Sequence, residues 1–129
     1  MVWGVNMSIE EKLIDQYIGL CDLMCKEESD YTSEKVKLHN KAMKQMQILT
    51  QKLSADIDLA NKVYAVLLQH EDRFIQQSAA TECLSIKIHT KRALCILKEI
   101  SRKENRMAAM AAKRTLLIWK GKINPHDPF

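Results

Sequence analysis

Two segments of this chain repeat one pattern: residues 72–84 read DRFIQQSAATECL, and residues 104–116 read ENRMAAMAAKRTL. Each begins with an acidic residue, and a large apolar residue follows three positions on. An Ala-Ala pair comes seven and eight positions on, and a leucine comes at twelve. The offset between the segments is constant at 32 residues. Apolar residues at helical spacing that recur with this period are typical of stacked helical repeats. The small residues of each Ala-Ala pair let neighbouring helices approach closely.

The helices that precede these segments also align, because residues 63–67 match residues 93–97 at an offset of 30. Apolar periodicity and capping signals extend the pattern to the rest of the chain. The predicted helices cover about 8–28, a second stretch ending near 53, then 58–69, and further helices from 72, from 90, and over 103–120. The sequence therefore predicts an all-α protein, an α-α superhelix of five to six helices without a sheet.

Caps and apolar positions define these helices further. Ser8 and Glu11 have the spacing of a capping box, Asp72 is a predicted N-cap, and Gly121 suits the position after a helix end. The third helix is apolar nearly all round, which predicts a central position. The residues predicted to face inward on the second and fourth helices are Val36, Met43, Met46, Leu49, Leu53, Ile75, Ala79 and Cys83.

The length of 129 residues suits one domain, 1–129, with an N-terminal extension over 1–7 and a C-terminal tail over 122–129. Only three glycines and two prolines interrupt the chain, which favours helices over strands. No apolar run reaches the roughly 18 residues of a membrane span. The four cysteines lie within apolar helical patterns, so we expect a reduced, cytoplasmic protein.

The patterns of residues 72–84 and 104–116 resemble the second helix of HEAT repeats, departing from it at Gln76 and Ala108, where those repeats favour arginine. The C-terminal stretch 111–125, AAKRTLLIWKGKINP, resembles the end of a family of small bacterial HEAT-like proteins of unknown function. The resemblance covers about residues 35–125. Small proteins of this type resemble immunity proteins of contact-dependent growth-inhibition and polymorphic toxin systems. The resemblance implies a HEAT-like fold and a role in toxin neutralisation.

No residue pattern indicates catalysis or a bound cofactor. Cys21 and Cys25 lie four apart on one helix face, where His39 or His89 would be needed to complete a metal site. Structural zinc sites usually show a C-x-x-C or H-x₃-H spacing, which this chain lacks. Buried apolar cysteines are the simpler interpretation. We therefore expect no enzyme activity, no metal and no cofactor.

Charge is distributed unevenly along the chain. Residues 8–34 hold eight acids and two bases, a net charge of −6, whereas residues 61–129 carry +7. The basic half leaves nucleic-acid binding as an alternative. It lacks aromatic residues interleaved with the bases, which stacking on single strands requires. The acidic segment would attract a basic protein partner.

The leading hypothesis is a protein-binding module, specifically an immunity protein that occludes a cognate bacterial toxin, for which a basic nuclease is one candidate. The alternative is a HEAT-like scaffold or adaptor. The oligomeric state is left open. Two candidate partner-binding surfaces follow from the sequence. One is the acidic turn, comprising Glu27, Glu28, Asp30 and Tyr31; the other is a stripe predicted to point outward, comprising Arg73, Gln77, Thr81, Asn105 and Lys113.

Overall fold

The computed structural model describes residues 8–24, 33–103 and 107–121, and it contains six α-helices and no strand within these ranges. The helices are α1 (Ile9–Met24), α2 (Ser33–Ala55), α3 (Ile57–Leu67), α4 (Arg73–Ile86), α5 (Thr90–Lys103) and α6 (Met107–Trp119). The all-α prediction is confirmed. The chain divides into two compact units, Met1–Val63 and Tyr64–Phe129, and the division falls within α3.

In the first unit, α1 packs against α2. Helix α1 begins with the predicted capping box, in which the Glu11 amide donates to the Ser8 hydroxyl at 3.2 Å. The Ser8 hydroxyl in turn donates to the Glu11 carboxylate at 3.2 Å. At the next helix start, Asp56 accepts a hydrogen bond from the Leu59 amide, which caps α3. The core of the α1–α2 pair contains Leu13, Tyr17, Leu20, Cys21, Ala42, Met46, Leu49 and Leu53.

The predicted inward face of α2 was partly wrong. Val36 and Met43 are 43% and 46% exposed, whereas Ala42 is fully buried. The buried residues 42, 46, 49 and 53 are spaced by four, three and four, which keeps them on one side of a helix. Met43 lies about 100° around the helix from Ala42 and therefore points away from α1.

The second unit contains the end of α3 and all of α4, α5 and α6. Helix α4 packs against both α5 and α6, and α5 also packs against α6. Three residues separate α4 from α5, and three separate α5 from α6. Connections this short are typical of antiparallel neighbouring helices. The equivalence of α4 and α6 as members of two repeats stays a prediction. Ala79, Ala80 and Ala112 are fully buried, and Ala111 is half-buried.

Local signals fix the helix ends of the second unit. Asp72 caps α4, accepting hydrogen bonds from the amides of Phe74 at 2.8 Å and Ile75 at 3.3 Å. Helix α4 ends at Ile86 and is followed by its C-cap, Lys87, whose φ of 61° places it in the left-handed region. Gly121 follows α6 with a φ of 73°, the left-handed conformation predicted for it. Val66 on α3 is 52% exposed, so this helix is less completely buried than its composition predicted.

Candidate protein-binding surfaces

The α4 residues of the stripe predicted to point outward are buried or half-buried. Gln77 is only 7% exposed, so its predicted outward position was wrong. Its side-chain amide donates to the Thr81 hydroxyl at 2.9 Å, and that hydroxyl lies 3.1 Å from the Thr115 hydroxyl on α6. Gln77 and Thr81 therefore join α4 to α6.

Arg73, at the start of the same stripe, is held by neighbours within its unit. Its guanidinium forms a 2.8 Å ion pair with Glu99 on α5 and donates to Gln76 at 2.9 Å. The hydrogen bond from Arg73, together with the charge of Lys103, lowers the pKa of the Glu99 carboxyl below its ordinary value. Arg73 therefore positions α5 against α4, a role that the sequence alone did not indicate.

Of the remaining residues of the two predicted surfaces, one is exposed and the others lie outside the described residues. Lys113 is exposed on α6. Asn105 lies outside the described residues, as do Glu27, Glu28, Asp30 and Tyr31 of the acidic turn. Because Gln77 is buried, the four described residues of the stripe do not form one exposed surface, and the acidic turn stays a prediction.

An exposed row without charge runs along α2 and was missed because two of its members were predicted to face inward. We call it the neutral row: Val36, Asn40, Met43 and Gln47, all exposed. Successive spacings of four, three and four place these residues on one face. The helix also carries five lysines, none of which lies in this row. Protein interfaces are depleted of charge at their centre, and methionine suits adaptable contacts.

The outer face of α6 combines apolar and basic side chains. Met110 is 55% exposed and Leu117 is 38% exposed. Lys113 and Lys120 flank Leu117 and, with Leu116, line an open groove. The spacing of residues 110, 113, 117 and 120 places them on one face of α6. That face can be recognised as the outer one only once the buried side of this helix is known.

The outer face of α5 is basic. Lys91, Lys98 and Arg102 are exposed at spacings of seven and four, which places them on one side of the helix. Cys95, also exposed, lies between them on the same side. We call these bases the basic row. It is the feature of the described residues that best fits contact with phosphates.

Two adjacent titratable groups on α4, Glu82 and Cys83, have raised pKa values. Burial raises the pKa of the Glu82 carboxyl. Burial, and secondarily the charge of Glu82, raises the pKa of the Cys83 thiol to about 12. A thiol with this pKa is almost entirely protonated at neutral pH and is a poor nucleophile. Cys21 is also buried, as its pattern predicted, while Cys25 lies outside the described residues.

Two other kinds of site are absent from residues 8–24, 33–103 and 107–121. There, no group of three or more His, Cys, Asp or Glu side chains is placed to hold a metal ion. Nor is any helix there long and apolar enough to span a membrane.

No protein-family model, curated protein or solved structure matches this chain. The resemblance to HEAT-like and immunity proteins therefore stays a prediction. The surfaces of α2, α5 and α6 are the basis for the function proposed below.

Proposed function

We propose that this chain is a protein-binding module, and that its partner is a bacterial toxin domain that it neutralises by covering the toxin's active site or substrate surface. The observation that carries the protein-binding part is the neutral row of α2. Its exposed apolar side chains, Val36 and Met43, lie on the face that points away from the α1 packing surface. An exposed apolar surface of this kind is a candidate contact surface.

The acidic turn gives the toxin part of the proposal its physical basis. Glu27, Glu28 and Asp30 precede α2 in sequence, a few residues before Val36. Acidic residues beside an apolar contact accelerate association with a basic protein, while the apolar residues slow dissociation. A basic toxin domain, such as a nuclease, has the complementary charge.

The test uses the protein encoded by the reading frame immediately upstream of this gene. That protein is expressed in bacteria alone, with the parent chain, and with a variant carrying Val36→Asp and Met43→Asp. We expect the upstream protein to arrest growth, the parent to restore it, and the variant to fail. A matched variant, Lys37→Asp with Lys44→Asp, changes two exposed residues beside the row at the same spacing and should still protect.

The acidic turn is tested by measuring binding kinetics with the same upstream protein. Reversal of Glu27, Glu28 and Asp30 to lysine should slow association and weaken its salt dependence. Replacement of Tyr31 by alanine should cost about 2 kcal/mol or more if this residue is an interface hot spot. An upstream frame that encodes a metabolic enzyme, with no effect on growth, would instead favour the adaptor function.

A second candidate function is nucleic-acid binding, which the basic row on α5 favours. Binding of duplex DNA should then weaken steeply with salt, and Lys91→Glu with Lys98→Glu should weaken it further. Affinity that is the same for the parent and this variant would exclude the basic row as a phosphate-binding surface.

A further inference from the structure

The outer face of α6 carries exposed apolar side chains flanked by basic ones. Residues 107–121 contain three bases, Lys113, Arg114 and Lys120, and no acid. Leu117 lies between the two lysines of the groove, and Met110 is exposed one turn before Lys113. A helix that covers these apolar side chains should carry acidic residues opposite Lys113 and Lys120.

The exposed face of α1 supplies such residues together with an unexplained glycine. Gly19 lies inside the helix, where glycine destabilises relative to alanine. A Cβ atom built at Gly19 would meet nothing within 4 Å, so no neighbour in the described structure requires its small size. Asp15 and Asp22, both exposed, flank Gly19 on the same face. A helix from another molecule that packs closely against this face would require a residue as small as glycine.

The two faces match in spacing as well as in charge. On α1 the order is Asp15, Gly19, Asp22, and on α6 it is Lys113, Leu117, Lys120. In both cases the residues are four and three positions apart, and the charged ends are about 10 Å apart along the axis. When the helices lie side by side in the same direction, each aspartate is opposite a lysine and Leu117 is opposite Gly19.

We propose that α6 of one molecule packs against α1 of a second copy of this chain, with Leu117 seated over Gly19 and two Asp–Lys pairs around it. This self-association does not depend on the toxin partner and uses neither the neutral row nor the acidic turn. The contact joins different surfaces of the two copies, α1 of one and α6 of the other.

The size of the contact sets its strength. Helices of 16 and 13 residues form a smaller interface than the roughly 1,600 Å² of a standard stable complex. The charge pairs are exposed and therefore sensitive to salt. We expect association that increases with protein concentration and decreases with ionic strength.

The experiment is sedimentation velocity of the full chain over a wide range of concentration at low salt. The parent should form larger species as its concentration rises. Reversing the α1 face (Asp15→Lys with Asp22→Lys) or the α6 face (Lys113→Glu with Lys120→Glu) should weaken association by about tenfold or more. Mixing these two variants should restore association, because the basic faces of one variant can then pack against the acidic faces of the other. The control, Lys37→Glu with Lys44→Glu, makes the same charge change at the same spacing on α2 and should associate like the parent.

Substitution of Gly19 separates close packing from charge. Gly19→Leu should block association, since the larger side chain occupies the space that Leu117 would fill. Gly19→Ala should leave the chain at least as resistant to urea as the parent, showing that the glycine is not needed inside the molecule. A parent that stays monomeric at every concentration would overturn the proposal and leave the α6 groove for a different protein. Association that survives both charge reversals and Gly19→Leu in folded variants would also overturn it.

Discussion

Glu82 and Cys83, adjacent in sequence on α4, show how burial changes the chemistry of single residues. Both pKa values are raised chiefly because the surroundings disfavour the charged form. The high pKa of Cys83 keeps its thiol protonated and apolar, which suits a side chain that is fully buried. Glu82 differs, because a carboxyl group is normally ionised at neutral pH and its burial then has a cost.

The raised pKa of Glu82 predicts a pH-dependent stability. The folded state favours the neutral carboxyl, so this contribution is fully present below the ordinary value of 4.5 and is lost as the pH rises through the raised pKa. Replacing Glu82 by glutamine removes the charge. We expect a higher free energy of unfolding than the parent at about pH 7 and little gain at about pH 4. Urea denaturation at the two pH values measures this, with exposed Glu71→Gln as the control. An equal gain at both values would mean that the charge of Glu82 is not the cause.

At the scale of elements, α4 is the helix that organises the second unit. It contacts both α5 and α6, so its buried side is wider than that of a helix with one neighbour. Ala79 and Ala80 face this interior with no exposed surface. Thr81 makes a polar contact with Thr115 of α6, and Gln77 donates to Thr81 within α4. The equivalent position on α6, Ala111, is half-buried. The repeated pattern therefore occurs in two environments of unequal packing density.

This difference in packing predicts that the same substitution lowers the free energy of unfolding by different amounts at Ala79 and Ala111. Ala79→Leu inserts three heavy atoms into a filled interior and should cost about 1–3 kcal/mol of stability. Ala111→Leu should cost less, because the half-buried site leaves the larger side chain a path toward solvent. Thermal and urea unfolding of the two variants provide the comparison, and each is the matched control for the other. Equal costs, or none for Ala79→Leu, would contradict the packing described for α4.

At the scale of the whole molecule, the chain consists of two compact units joined within one helix. The first unit relies on the packing of α1 against α2, whereas the second contains three helices that all contact one another. Helices with more packing neighbours need larger fluctuations to open. Local stability should therefore differ between the units.

Hydrogen exchange of backbone amides tests this difference. We expect the slowest exchange in the central turns of α4 and α5, and faster exchange in α1 and α2. The physical reason is that opening α4 disrupts contacts with two helices at once, while separation of α1 from α2 disrupts one interface. The measurement is made at low protein concentration, so that self-association does not protect α1. Slower exchange in α1 than in α4 would contradict this ordering of stability.

The sequence alone determined the features that depend on neighbours along the chain. The capping residues Ser8 and Asp72, the helix end at Gly121, and the six-helix, all-α pattern were predicted correctly because caps and helical periodicity are local. The sequence also identified buried positions correctly at Met46, Leu49, Leu53, Ile75, Ala79 and Cys83. Only the tertiary structure decided how far the buried side of each helix extends. The inward positions of Val36 and Met43 and the outward position of Gln77 were predicted wrongly. Which side of a helix is buried depends on how many helices pack against it and from which directions. The neutral row and the groove of α6 could be recognised only after those contacts were known, because an apolar residue at helical spacing fits a core and an exposed binding face equally well.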